Sequence, residues 1–147
     1  MAHFLIDLSL STDYSLTLKQ KLFNAIIISG GKDDERAVEN IMQDILQYQL
    51  KVKYLTLENT RITLHKLPST VLNLIIRDSE VDLAPSCISQ LCSLKIDGVF
   101  LPNLTIPDSN RIRKLVLQHP DFKQDQFCIS RLTDIEKFVV NEQVIIG

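Results

Sequence analysis

One apolar phrase returns five times between Val52 and the C-terminus, and it constrains the fold more than any other feature of the chain. The first three copies read Val52-x-x-Leu55-x-Leu57-x-x-Thr60-x-Ile62, Val71-x-x-Leu74-x-Ile76-x-x-Ser79-x-Val81 and Leu91-x-x-Leu94-x-Ile96-x-x-Val99-x-Leu101. The last two read Ile112-x-x-Leu115-x-Leu117-x-x-Pro120-x-Phe122 and Ile135-x-x-Phe138-x-Val140-x-x-Gln143-x-Ile145. The anchors Leu55, Leu74, Leu94, Leu115 and Phe138 step by about 19 to 23 residues, a period typical of stacked repeats. Within each copy the apolar residues alternate, which marks a short strand with one buried face. Because the chain returns to the same edge after each copy, adjacent strands are expected to stack in parallel.

Proline punctuates the stretches between strands, as in Leu64-His65-Lys66-Leu67-Pro68-Ser69, Leu83-Ala84-Pro85-Ser86-Cys87 and Leu104-Thr105-Ile106-Pro107-Asp108. Proline fixes its own φ and donates no backbone hydrogen bond, so extended or 3₁₀ backbone is expected there rather than long helices.

The segment Leu64-His65-Lys66-Leu67-Pro68-Ser69-Thr70-Val71-Leu72-Asn73-Leu74-Ile75-Ile76 resembles the short repeat of bacterial leucine-rich-repeat effectors, in which a Leu-Pro segment leads into Leu-x-x-Leu-x-Val. The resemblance covers about two-thirds of the chain. It implies an α/β leucine-rich-repeat solenoid with a parallel β-ladder, irregular convex segments and one N-terminal helix. It also implies a host-directed role after export. That family places Asn, or less often Cys or Thr, two residues before the closing apolar position. Here Thr60, Ser79, Val99, Pro120 and Gln143 stand there. Thr60 and Ser79 can supply a weaker version of that hydrogen bonding and Val99 and Pro120 cannot, so the later turns should be irregular. A degenerate repeat of the FNIP type is the alternative.

Residues 1–49 differ from residues 50–147, the degenerate repeats, and read as a strand and helix cap on the same domain. Val38, Ile41, Met42, Ile45 and Leu46 fall at i, i+3, i+4, i+7 and i+8, an amphipathic helix. Asp33 or Asp34 can cap it and Gly30-Gly31 supplies the turn before it. His3 to Leu10 alternates as a strand, and Phe23-x-x-Ile26-x-Ile28 fits another. The helix is expected to cover the first turns of the stack, which would otherwise leave an apolar layer bare.

A length of 147 residues with 45% apolar and 23% charged content is ordinary for one soluble domain. Sixteen basic and 18 acidic residues give a net charge of −2, so no general basic field argues for nucleic acid. Apolar runs such as Ala25-Ile26-Ile27-Ile28 are too short to cross a bilayer, and the N-terminus lacks a secretory pattern. A cytoplasmic protein is expected, or one passed into a host cell without a cleaved signal. The odd count of three cysteines, Cys87, Cys92 and Cys128, favours reduced thiols.

No nucleophile elbow, zinc-protease pattern, phosphate loop or Cys-x-x-Cys is present, so no catalytic residue is assigned. His3, His65 and His119 are far apart in sequence and suggest loop or surface positions rather than metal ligands; neither metal nor cofactor is expected. Ser29-Gly30-Gly31-Lys32 precedes a helix start, where an anion could bind, but Asp33, Asp34 and Glu35 oppose one.

The residues between the buried anchors carry the functional expectation. Successive strand residues face opposite ways, so Thr56, Ile75, Lys95, Val116 and Val139 form the middle row of the open concave face. Glu58, Arg77, Asp97, Gln118 and Asn141 form one flanking row, and Tyr54, Asn73, Lys114 and Lys137 the other. Tyr54, Thr56, Ile75, Arg77, Lys95, Val116 and Val139 are the expected partner-binding residues of a non-enzymatic scaffold for another protein. At the C-terminus Val144, Ile145 and Ile146 form a bare apolar edge that a second copy could cover, which makes a structural homo-oligomer an alternative. A small α/β ligand-binding domain using Ser29, Lys32 and a histidine at the Gly30-Gly31 helix start is another.

Overall fold

The computed structural model describes residues 3–9, 14, 18 and 24–147. Leu10 and Phe23, at the limits of the two predicted N-terminal strands, lie outside the described residues. The architecture is mixed α/β, with a mostly parallel sheet and few helices. The chain first forms β1 (His3–Asp7), β2 (Ala25–Ser29) and helix α1 (Glu35–Gln47). Next come β3 (Tyr54–Glu58), β4 (Arg61–Leu64), β5 (Asn73–Arg77), β6 (Glu80–Leu83) and a short helix α2 (Pro85–Ser89). It ends with β7 (Ser93–Asp97), β8 (Lys114–Gln118), β9 (Lys137–Val140) and β10 (Gln143–Ile146).

Eight strands form the main sheet in the order β1-β2-β3-β5-β7-β8-β9-β10. The N-terminal strands thus join the same sheet as the anchors, a pairing that their alternation alone did not specify. The anchors lie opposite one another, Leu55 on Leu74, Leu74 on Leu94, Leu94 on Leu115 and Leu115 on Phe138. Phe4 and Ile26 continue that row to the first strand. The anchors and their i+2 neighbours are buried, and together they form the inner wall of one hydrophobic core.

Helix α1 lays Val38, Ile41, Met42 and Ile45 into that core, and all four are buried. Burying each contributes about 1.5–3 kcal/mol relative to leaving it in water. Asp34 caps the helix, its Oδ1 accepting the Ala37 N–H at 3.1 Å. Gly31, at φ +86°, lets the turn press onto the helix, since a Cβ there would meet Leu8 Cδ1 at 2.6 Å and Val38 Cγ2 at 2.8 Å.

Two features depart from the sequence reading on the side opposite the outer face of the main sheet. β4 and β6 form a second, two-stranded parallel sheet, pairing Arg61 with Glu80 through Leu64 with Leu83. Asn59 and Asp78, at φ +50° and +48°, make the sharp exit from β3 and β5 that allows it; Asn and Asp tolerate this left-handed backbone better than most residues. Pro85, expected in extended or 3₁₀ backbone, instead opens the α-helical turn α2, where its missing N–H costs nothing. Side chains tie the irregular segments across one period: Gln90 Nε2 donates to the Pro68 and Val71 carbonyls at 2.8 and 2.9 Å.

The later intervals are irregular, as the loss of polar side chains at Val99 and Pro120 implies. No strand follows β7 or β8 on this side, and the interval between β8 and β9 holds two short 3₁₀ turns, Gln124–Gln126 and Ile129–Arg131. Aromatic rings fill the added length: Phe100 meets Phe122 edge-on at 4.9 Å, Phe122 lies 6.4 Å from Phe127, and Phe127 meets Phe138 edge-on at 6.1 Å. Such pairs add about 0.5–1.5 kcal/mol beyond the area they bury.

The C-terminal end corrects the expectation of an all-parallel ladder. After β9 the chain reverses through Asn141 and Glu142, at φ +51° and +69°, and β10 pairs antiparallel with β9. Two positive φ values in a two-residue connection fit the hairpin turn whose twist matches the strands. Ile145 and Ile146 therefore fold back against the core instead of standing bare at its end. Val144 pairs with Val139 and faces the outer side of the sheet.

Candidate functional site

The residues alternating with the buried anchors form the outer face of the main sheet. The strand register gives its middle row as Leu5, Ile27, Thr56, Ile75, Lys95, Val116, Val139 and Val144. The expected residues Thr56, Ile75, Lys95, Val116 and Val139 do come together in one row. Leu5, Ile27 and Val144 extend it at both ends. Strand spacing of about 4.8 Å gives a stripe roughly 34 Å long.

Six of these eight positions are Leu, Ile or Val, read along the register. Leu5 is 55% exposed and Val144 59% exposed, while Ile27, Ile75 and Val116 are half-buried among their row neighbours and Val139 is 9% exposed. Scattered exposed apolar residues are ordinary, whereas a mainly apolar row, broken only at Thr56 and Lys95 and bordered by polar rows, has the composition of a contact surface.

The two borders carry opposite chemistry. One runs through Asp7, Ser29, Glu58, Arg77, Asp97 and Gln118 at the ends of the strands. Arg77 Nη1 reaches Glu58 Oε1 at 3.2 Å, and among the described residues no ion pair joins Arg77 to Asp97. With both side chains partly exposed, the pair contributes about 0.2–1 kcal/mol. Asp7 is held below the usual carboxylate range because Ser9 donates to it through its hydroxyl and its backbone N–H. The other border holds Tyr54, Asn73, Ser93, Lys114 and Lys137, cationic toward β8 and β9. Tyr54 is 40% exposed. The result is an apolar stripe with a mainly acidic border on one side and a partly basic border on the other.

The second edge expected in the sequence is altered in kind. Of Val144, Ile145 and Ile146, only Val144 stays largely open, and it belongs to the outer stripe. What remains free at that end is the backbone edge of β10, the last strand of the sheet.

At the Gly30-Gly31 turn the helix start is occupied by the Asp34 carboxylate of the chain itself. Lys32 Nζ donates to the Asp78 carbonyl at 3.2 Å. None of the three principal grooves is lined by Ser29 or Lys32. Among the described residues no group of three or more His, Cys, Asp or Glu converges as metal ligands would. Cys87 is buried against the Leu64 carbonyl, 3.5 Å from its Sγ, and desolvation raises its pKa. Cys128 is exposed and pushed the other way, chiefly by the Ser130 hydroxyl 2.9 Å from its Sγ. His119 stacks on Phe100 with ring centroids 6.0 Å apart, and its Nδ1 accepts the Asp121 N–H. No helix among the described residues is long and apolar enough to cross a membrane.

Sequence reasoning missed the contribution of β1, β2 and β10 to the stripe. Leu5 and Ile27 stand inside the unbroken apolar runs Phe4-Leu5-Ile6 and Ala25-Ile26-Ile27-Ile28, where no polar alternation marks which member faces outward. No family model, no characterised protein and no solved structure matches the chain.

Proposed function

We propose that this chain is a non-enzymatic interaction scaffold, a degenerate leucine-rich-repeat solenoid that binds another protein on the concave outer face of its sheet. The observation that carries this reading is the mainly apolar row that the strand register aligns from Leu5 to Val144. It needs a partner with an apolar ridge, bearing basic residues toward Glu58 and Asp97 and acidic residues toward Lys114 and Lys137. Ile75 and Val116 are the central contacts, with Tyr54, Thr56, Arg77, Lys95 and the more buried Val139 around them. Contacts at the centre of such a surface dominate affinity because water is excluded there. The resemblance of Leu64–Ile76 to effector repeats supports action on a host protein after export without a cleaved signal. A cytoplasmic scaffold uses the same surface.

The test is affinity capture by the wild type beside the Ile75→Glu/Val116→Glu variant, with circular dichroism to verify that the variant is folded. Partners retained only by the wild type support the reading. Identical captured sets from both folded proteins refute it.

A second reading, a homodimer through β10, rests on the free edge of that antiparallel strand and the exposure of Val144. Two β10 strands related by a two-fold axis would continue the sheet. A sedimentation coefficient that stays monomeric across a concentration series sinks it.

A further inference from the structure

The C-terminal end of α1 and the proline-bearing segment that follows β4 enclose a groove of about 590 Å³ that shares no lining residue with the outer stripe. That size suits a small ligand. Leu50, Leu67 and Pro68 form its apolar floor, and Lys51, His65 and Lys66 stand exposed around it. Among the described residues neither Asp nor Glu lines it, although the net charge of the chain is −2.

Donors outnumber free acceptors along this wall. The backbone N–H groups of His65, Lys66, Leu67, Ser69 and Thr70, all lining residues, donate to no group among the described residues. Lys51 and Lys66 likewise form no ion pair among the described residues. The Pro68 carbonyl beside them already accepts the Val71 N–H and Gln90 Nε2.

The negative end of the α1 dipole opposes an anion here. Its last carbonyls, those of Asp44, Ile45 and Leu46, are closed off by the Tyr48, Leu50 and Gln49 amides, with Gln49 at φ +53°. What remains of the dipole is about half a charge, against full charges on both lysines. Positive charge and free donors therefore prevail over an apolar floor. A phosphate group uses such a set more fully than a carboxylate does, because it carries nearly two charges and three accepting oxygens.

We propose that this groove binds a small phosphorylated organic molecule. Lys51, Lys66 and the free amides of residues 65–67, 69 and 70 hold the phosphate, and the body of the ligand lies over Leu50, Leu67 and Pro68. The site is independent of the outer stripe.

The probe is naphthyl phosphate, beside naphthylmethylammonium as the cation of similar size. Each is titrated into the isotope-labelled full chain while backbone amide shifts are followed by NMR. Naphthyl phosphate is expected to saturate with a Kd of about 0.1–1 mM and the cation to bind at least tenfold more weakly. The shifts should centre on residues 65–70. Lys51→Glu/Lys66→Glu should weaken naphthyl phosphate at least tenfold, whereas Lys51→Arg/Lys66→Arg and Ile75→Glu/Val116→Glu should bind it as the wild type does. Absence of saturation by about 10 mM overturns the proposal. So does equal binding of the two compounds, or shifts that centre on the outer face or on β10. Vesicles of phosphatidylcholine with phosphatidic acid should not sediment the chain. If they do while naphthyl phosphate stays unbound, the phosphate recognised is a lipid headgroup and the small-molecule site is refuted.

Discussion

Ser79 and Thr60 stand at matching places in adjacent turns, yet only one of the two hydroxyls is used. Ser79 Oγ accepts the Thr60 backbone N–H at 3.0 Å and shares its proton between the Arg77 and Leu57 carbonyls, at 2.8 and 3.2 Å. Thr60 Oγ1 is buried with no hydrogen-bond partner among the described residues. Removing the Ser79 hydroxyl leaves a buried N–H unsatisfied, so Ser79→Ala should cost about 1–3 kcal/mol. Thr60→Val removes a hydroxyl that bonds to nothing and should leave stability unchanged or raise it by up to about 1 kcal/mol. Urea denaturation of the two variants checks both, and a Thr60→Val loss as large as that of Ser79→Ala would contradict the assignment.

Gly98 continues the series of left-handed exits begun by Asn59 and Asp78, at φ +76°. An added Cβ would run into the Asp78 carboxylate. That side chain can swing aside, so the lasting cost is the backbone conformation, roughly 1–2 kcal/mol for a non-glycine residue. Gly98→Ala should therefore lower the denaturation midpoint in the wild type and in an Asp78→Ala background alike. Full rescue in that background would mean that the contact and not the backbone sets the cost.

The β9-β10 reversal offers a stabilising change. Glu142 holds φ +69° at the second central position of a turn where Gly is favoured. Glu142→Gly should raise stability by about 0.5–1 kcal/mol, seen as a higher Tm in differential scanning calorimetry. Asn141→Ala should lower it, since Asn141 Oδ1 accepts the His119 N–H at 2.9 Å.

The architecture was readable from the sequence wherever one face of an element is buried. Leu55, Leu74, Leu94, Leu115 and Phe138 align because a one-residue slip would turn every anchor outward. The same logic made α1 legible through Val38, Ile41, Met42 and Ile45. The β4-β6 ladder was equally encoded, in Arg61-Ile62-Thr63-Leu64 and Glu80-Val81-Asp82-Leu83, but the left-handed exits at Asn59 and Asp78 that turn these runs onto a second sheet carry no glycine to mark them. The reversal at Asn141-Glu142 was hidden for another reason. Its turn lacks the glycine that usually advertises such a hairpin, and Gln143-x-Ile145 imitates the repeated phrase. The outer stripe was legible only between β3 and β9, where the phrase set the register.

Thiol chemistry should separate the cysteines. Hydrogen bonding from Ser130 favours the Cys128 thiolate, which lowers its pKa and raises the thiolate fraction at any pH below the ordinary value. Its alkylation by iodoacetamide should accordingly rise at lower pH than that of free cysteine, and Ser130→Ala should move the profile back up. Cys87, buried and shifted upward, should remain unlabelled until the chain unfolds. Peptide mass spectrometry after timed labelling reads all three outcomes.

The strand-by-strand register of the row from Leu5 to Val144 makes the sheet a ruler with divisions of about 4.8 Å. A helical ridge laid along it advances about 5.4 Å per turn, and alternate side chains of an extended chain advance about 6.6 Å, so neither keeps step. The helix slips by about 0.6 Å per strand and is half a division out after about four strands, as on a vernier scale. A rigid partner can therefore seat its side chains between successive strands over only half of the sheet at once. Occupying the full width requires a bend, a break or two separate segments.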